Sequence, residues 1–279
     1  MSSSVSANSA KYKMIIDGQS LNFSPTEASS WPRLLLANYP ISNRNISIVG
    51  YAWLQLVDMV TSRRDPFATI APITIVTMNG GTTDYIFNRT GLQCYTDMKN
   101  YANTAHSASF DYVIATTTTP CSAFGAHTTV APGSNNVNTN TFTAATGVLN
   151  VASTTDALGS GTILVQTGGT EATITYTGTT STTFTGCTTT SGGGVMTTGG
   201  YVHEQSYSRW LDGNARIVAN ADVAFDYVVD VAGDSRLSDY NNTTYYAGDK
   251  THFTPAGSQV FADLVQPTLD TIIAANGGL

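Results

Sequence analysis

Apolar residues along the chain follow two rhythms, one suited to buried strands and one to helices. Short runs rich in β-branched residues occur at Lys13-Met14-Ile15-Ile16, at Asn45-Ile46-Ser47-Ile48-Val49, at Ile73-Thr74-Ile75-Val76-Thr77-Met78, at Tyr112-Val113-Ile114-Ala115-Thr116 and at Tyr227-Val228-Val229-Asp230-Val231. Each reads as a strand, and the first ends at Asp17-Gly18 and the second at Gly50. Between them, Trp31 to Ala37, Trp53 to Val60, Tyr95 to Tyr101, Tyr207 to Asn220 and Pro255 to Ala275 place apolar residues at helical spacing. Pro32 sits where a first helical turn accepts proline. Short strands alternating with helices predict a parallel sheet covered on both faces. In such sheets a ligand binds in the loops beyond the carboxyl ends of the strands.

The middle of the chain breaks this pattern. Of the 60 residues from 141 to 200, 37 are Thr, Ser or Gly, and only Asp156 and Glu171 are charged. Gly161 to Gln166 and Ala172 to Thr177 are β-branched runs separated by Gly168-Gly169, and Thr182 to Thr185 is a third run before Gly186. Strand, glycine turn and strand is a hairpin signature, and threonine suits a solvated pleated face. The expected organisation is therefore a flexible polar tail over residues 1–10, an α/β domain over 11–129 and 201–279, and a small β-rich insertion over 130–200. The Ser191-Gly192-Gly193-Gly194 flank reads as a flexible connection.

Composition removes several classes of function. The chain has 279 residues, a formal net charge of −7 and only 11% charged residues. No Lys or Arg occurs between Lys99 and Arg209, which leaves no basic stripe for phosphates, so nucleic acid is not an expected partner. Nothing approaches the apolar run that a membrane span requires. The first ten residues lack the basic-then-apolar order of a secretory signal. Cys94, Cys121 and Cys187 are far apart and form no Cys-x-x-Cys pair, so buried thiols are expected rather than a metal or disulfide framework.

Four short segments carry candidate chemistry. In Asp249-Lys250-Thr251-His252, an acid three residues before a histidine can turn back to orient the imidazole, although the same pattern also serves helix capping. Ser20, just after the first strand, either exposes its hydroxyl to substrate or caps a helix. Gly50 follows the second strand and Gly80-Gly81-Thr82-Thr83-Asp84 the third. Glycines there either bring main-chain N–H groups close to an oxyanion or simply turn the chain. His106, His127 and His203 lack a carboxylate at useful spacing, apart from Glu204 beside His203, and read as loop or surface residues. Tyr240 to Tyr246 either lines a pocket or is a polar surface loop, and Asp226, Asp230 and Asp234 read as solvated strand ends.

In order and position the four segments resemble the SGNH (GDSL) hydrolase family, over about 200 residues that exclude the tail and the β-rich insertion. Gly18-Gln19-Ser20 stands for the family's Gly-Asp-Ser, with Gln19 replacing Asp; Gly50 matches the second block. Gly81-Thr82-Thr83-Asp84 matches Gly-x-Asn-Asp with Thr83 replacing Asn, and Asp249 to His252 matches Asp-x-x-His without change. The resemblance implies a flavodoxin-like three-layer α/β/α sandwich with a five-stranded parallel sheet. It implies a serine esterase with Ser20 as nucleophile, His252 as base and Asp249 as its orienting acid. The oxyanion donors would be the N–H groups of Ser20 and Gly50, with Thr83 or Asn79 as a third. No metal or organic cofactor is implied. With no long apolar lid segment, short acyl esters such as acetyl groups on a polysaccharide are the expected substrates. The threonine-rich insertion is similar in composition to β modules of bacteriophage tail and virion proteins. This carries a second expectation, a virion or receptor-binding protein that associates with cell-surface glycans through an SGNH fold with little activity. A third is a carbohydrate-binding protein on a degenerate hydrolase fold.

Overall fold

The computed structural model describes residues 11–23, 26–37, 39, 41–131, 147–168, 170–193, 196 and 198–279. The expected tail over 1–10, and 132–146 within the expected insertion, lie outside the described residues. The chain divides into two compact units, Met1–Cys121 with Asp212–Leu279, and Ser122–Leu211.

In the first unit the chain runs β1 (Tyr12–Gly18), α1 (Trp31–Leu36), β2 (Ser42–Asn45), α2 (Trp53–Val57), α3 (Val60–Arg63), β3 (Ile73–Asn79), α4 (Thr82–Ile86), α5 (Gly91–Ser107) and β4 (Tyr112–Thr116). The second unit contains β5 (His127–Thr129), β6 (Val148–Asn150), β7 (Gly161–Val165), β8 (Thr170–Tyr176), β9 (Gly178–Thr179), β10 (Thr183–Thr185), β11 (Thr188–Gly193) and β12 (Tyr201–Glu204). Helix α6 (Gln205–Ala219) follows, and β13 (Tyr227–Val229) and α7 (Pro255–Ala275) complete the chain.

Five strands of the first unit form one sheet in the order β13-β4-β3-β1-β2, and every pairing is parallel. This is the flavodoxin-like order, reversing direction between β1 and β3. The alternation of side chains along the strands separates two buried faces. Met14, Ile16, Ile75 and Ile114 join one core with Trp31, Leu35 and Leu36 of α1 and with Phe261, Val265, Leu269 and Ile272 of α7. Ile15, Val76 and Val113 alternate onto the opposite face and are also fully buried. There α2 packs on α5, with Trp53 edge-on to Tyr101 at 5.1 Å between ring centroids.

Two elements differ from expectation. The second strand lies at Ser42–Asn45, ahead of the apolar run. An edge strand pairs on one side only and accepts polar residues such as these. The N–H groups of Ile46 and Ile48 still donate to the carbonyls of Ile16 and Gly18, at 2.8 and 3.0 Å, so the run extends the ladder without being a regular strand. The helix expected over Trp53 to Val60 is broken at Met59, and α3 begins anew. The new direction brings Arg63 to Asp17 at 2.7 Å and Arg64 to the carbonyl of Tyr101 at 2.8 Å.

The second unit is antiparallel, with sheets β11-β8-β7-β12-β5 and β6-β10-β9. The β7 and β8 hairpin pairs Thr162 with Thr175 and Leu164 with Thr173. Ser191 to Gly193, read from sequence as a flexible connection, belong to β11 and pair irregularly with β8, while Gly194 lies outside the described residues. β5 and β12 fall outside 130–200 yet belong to the same sheet as β7. Val130, Leu149, Ile163, Val165, Ile174, Phe184 and Val202 are among the residues of this unit's own core. Its only charged residues are Asp156, Glu171, Glu204 and Arg209, and Glu204 is buried, accepting from the Tyr176 hydroxyl at 2.5 Å.

Phe184 is fully buried, edge-on to Tyr176 at 4.8 Å. Phe184→Ala is expected to lower the free energy of unfolding by about 3–5 kcal/mol, through lost transfer energy and the cavity left behind, as read by urea denaturation.

Candidate active site

The site forms where the loops after β1 and β2 meet the loop before α7. Gly18 closes β1 at φ +141°, and a Cβ there would stand 2.0 Å from the carbonyl oxygen of Asn79, so only glycine allows β1 and β3 to end this close together. The chain then turns into a 3-10 helix over Ser20–Phe23, secured by the N–H of Asn22 on the carbonyl of Gln19 at 3.1 Å. Asn22 is fully buried and knits this corner: its Oδ1 accepts from Trp31 Nε1 at 2.8 Å and from Asn79 Nδ2 at 2.7 Å. Its Nδ2 donates to the carbonyl of Asp17 at 3.2 Å and to Ser47 Oγ at 2.6 Å.

The loop before α7 is equally constrained. Ala247 N–H donates to the carbonyl of His252 at 2.8 Å, and Thr254 N–H to that of Tyr245 at 2.9 Å. Thr254 is the N-cap of α7, its Oγ1 accepting from Gly257 N–H, so helix capping does not fall to Asp249. Asp249 divides its two oxygens. Oδ1 accepts the N–H groups of Thr251 and His252, both at 3.0 Å, and Oδ2 lies 2.6 Å from His252 Nδ1. Burial alone would raise the Asp249 carboxyl, but the bonds from the His252 ring and from these two N–H groups hold it below its ordinary value.

The other ring nitrogen, His252 Nε2, lies 2.8 Å from Ser20 Oγ. With the proton on Nδ1 directed to Asp249, Nε2 is the acceptor for the serine hydroxyl. Ser20, Asp249 and His252 line a cleft of about 420 Å³ with Phe23, Val49, Ala247 and Phe253. Val49 is 63% exposed and Gly50 beside it has φ +77° with open space around it. Among the described residues, neither the N–H of Ser20 nor that of Gly50 donates a hydrogen bond.

The Gly81–Asp84 segment is arranged differently from what an oxyanion donor at Thr83 requires. Thr83 N–H and Oγ1 both donate to Gln19 Oε1, at 2.9 and 3.0 Å. Asn79 is buried, its amide joined to Asn22. Asp84 is fully buried; its carboxylate accepts the N–H of Trp53 at 3.1 Å and lies 3.2 Å from Arg89 Nε. Arg89 also pairs with Asp97.

Tyr240 and Tyr246 are core residues rather than pocket lining, with the Tyr246 hydroxyl on the carbonyl of Leu237 at 2.6 Å. His106 acquires a carboxylate neighbour remote in sequence, Asp226 at 3.5 Å. His127 and His203 stack on Tyr207 and Tyr201 in the second unit. Asp226 and Asp230 accept from Val113 N–H and from the Thr117 hydroxyl at strand ends, and Asp234 pairs with Arg236. Cys94, Cys121 and Cys187 are buried thiols outside any disulfide. Among the described residues no group of three or more His, Cys, Asp or Glu side chains is placed to hold a metal ion, and no helix is long and apolar enough to cross a membrane.

Compared by sequence, the chain matches no protein-family model and none of the curated proteins. Solved structures do match. A member of the lipolytic protein G-D-S-L family from Veillonella parvula superposes with a TM-score of 0.53 at 11% identity, covering 93% of this chain and 98% of its own. The psychrotrophic esterase EstA from Pseudoalteromonas sp. gives 0.52 at 9% identity, covering 94% and 98%. The lipase/acylhydrolase from Enterococcus faecalis gives 0.50 at 8% identity, covering 95% and 97%. Identities this low speak to architecture: the chain has the α/β fold of the G-D-S-L (SGNH) lipolytic structures.

Asp84 couples folding stability to pH. Burial pushes its carboxyl up to about 7, against the Trp53 N–H and Arg89, which pull it down. The folded chain therefore binds this proton more tightly than the unfolded one, whose carboxyl keeps its ordinary value of 3.8. The stability associated with that proton is fully present below about pH 4 and is lost as pH rises to about 7. Asp84→Asn is expected to flatten this part of the stability curve, measured as urea midpoints from pH 4 to 7.

Proposed function

We propose that this protein is a serine esterase in which Ser20 attacks an ester carbonyl, His252 accepts the Ser20 proton and Asp249 orients His252. The observation that carries the reading is the unbroken relay from Asp249 Oδ2 through the imidazole to Ser20 Oγ, at 2.6 and 2.8 Å, opening on a cleft. As Oγ bonds to the carbonyl carbon, its proton moves to Nε2, and the imidazolium is stabilised by the Asp249 carboxylate. The negative oxygen of the tetrahedral intermediate is held by the main-chain N–H groups of Ser20 and Gly50. His252 then returns the proton to the leaving alcohol. Water, deprotonated by the same imidazole, releases the acid from the acyl-enzyme.

Phe23, Val49, Ala247 and Phe253 give the cleft an apolar lining suited to a small acyl group. We assign short acyl esters as substrates, with acetyl groups on a carbohydrate as the natural class. The alcohol part needs few contacts, because attack and oxyanion binding both take place at the acyl carbon.

The test is p-nitrophenyl acetate hydrolysis beside Ser20→Ala and His252→Ala. Loss of either partner of such a relay removes about 10⁴–10⁶ of kcat, so both variants should fall to the background rate. A fluorophosphonate should label the wild-type protein at Ser20 alone. Equal turnover by wild type and Ser20→Ala would overturn the reading.

A further inference from the structure

The two positions at which the site departs from the family pattern touch each other. Gln19 stands where that pattern has Asp and Thr83 where it has Asn, and Gln19 Oε1 receives both hydrogen-bond donors of Thr83. The other end of the same amide, Nε2, faces Asp84 Oδ2 at 3.4 Å. Gln19 is only 2% exposed, so both ends of its amide must be satisfied inside the protein.

We propose that Gln19 and Thr83 are a single coupled replacement, in which the Gln19 amide bridges Thr83 and Asp84 and thereby positions Ser20 and its main-chain N–H. The proposal rests on the esterase reading.

The donor and acceptor pattern selects an amide. Thr83 presents two donors, which need an acceptor, and Asp84 presents an acceptor, which needs a donor. A glutamate at position 19, with the reach of the Gln19 side chain, would serve Thr83 but would set a second acidic group against Asp84 in a buried site. Asp84 already draws on Trp53 and Arg89 for its neutralising contacts, and Arg89 is shared with Asp97. The family's Asn would aim an amide toward the oxyanion, whereas here the side chain at 83 is turned inward to Gln19. The charge formed in the transition state is then left to the N–H groups of Ser20 and Gly50. Ser20 follows Gln19 directly, and the Gln19 carbonyl anchors the next turn through Asn22. A shift of the Gln19 side chain therefore moves a donor that acts only on the transition state. Gln19 is a positioning residue, and disturbing it should lower kcat with little change in KM.

The experiment is a double-mutant cycle on the full-length chain, with Gln19→Glu, Asp84→Asn and the two combined, scored by kcat and KM for p-nitrophenyl acetate and by Tm. Gln19→Glu should reduce kcat by about tenfold or more with KM within about twofold. The combined variant should recover kcat to within about threefold of wild type, because the amide introduced at 84 donates to the carboxylate introduced at 19. Thr83→Val, which keeps the shape and removes one donor, should lower kcat by about two- to fivefold and provides the reading if Gln19→Glu does not fold. Unchanged kcat in a folded Gln19→Glu or Thr83→Val protein, or strictly additive effects in the combined variant, would overturn the proposal while Ser20-dependent turnover of the wild type left the esterase reading standing. A wild type without Ser20-dependent turnover would overturn the esterase reading and the positioning role with it. The Tm cycle would then report the Gln19–Asp84 coupling separately.

Discussion

The corner built by Asn22 is the constraint on which the site depends. A buried primary amide has two donors and an acceptor oxygen, and here all are engaged, by Trp31, Asn79, the Asp17 carbonyl and Ser47. Those partners come from α1, from the end of β3, from the end of β1 and from the segment after β2, so one side chain fixes the relative positions of four parts of the first unit. The Ser20 turn is then left little freedom, since the N–H of Asn22 is tied to the carbonyl of Gln19 and the Asn22 side chain to everything around it. A partly satisfied network at this depth would cost more than an apolar one. Complete satisfaction is what lets a polar residue hold the loop.

Much of this was legible in the sequence, and the reasons differ from residue to residue. Asp249 and His252 lie within one short loop, so their spacing nearly dictates their contact. Ser20 stands out because parallel sheets put strand ends and ligand-binding loops in the same place. Asn22 carried no signal, since nothing in Ser20-Leu21-Asn22-Phe23 foretells partners up to 57 residues away. Phe23, Val49 and Phe253 likewise become pocket walls only when three loops converge. Periodicity places the second strand too late along the chain, because it rewards apolar residues and an edge strand of Ser, Asn and Arg offers none. In the central region, composition marked β structure, but it could not show that β5 and β12, on either side of the threonine-rich stretch, belong to the same sheet.

Asp249 shows that a structural and a chemical reading of one motif need not compete. One oxygen holds the main chain of its own loop and the other holds the imidazole. The loop bonds also keep the carboxylate ionised, which the imidazole contact requires. An Asp in this position is therefore both the scaffold of the histidine and its electrostatic partner. The N-cap of the following helix passes to Thr254, which leaves Asp249 available for both tasks.

The second unit carries four charged residues, one of them buried, in a sequence dominated by threonine, serine and glycine. Such a unit projects almost no long-range field. Its encounters with other molecules are governed by contacts at van der Waals and hydrogen-bond range, which salt does not screen. The first unit, by contrast, carries nearly all of the chain's ions, so changes in ionic strength reach the two units very unequally.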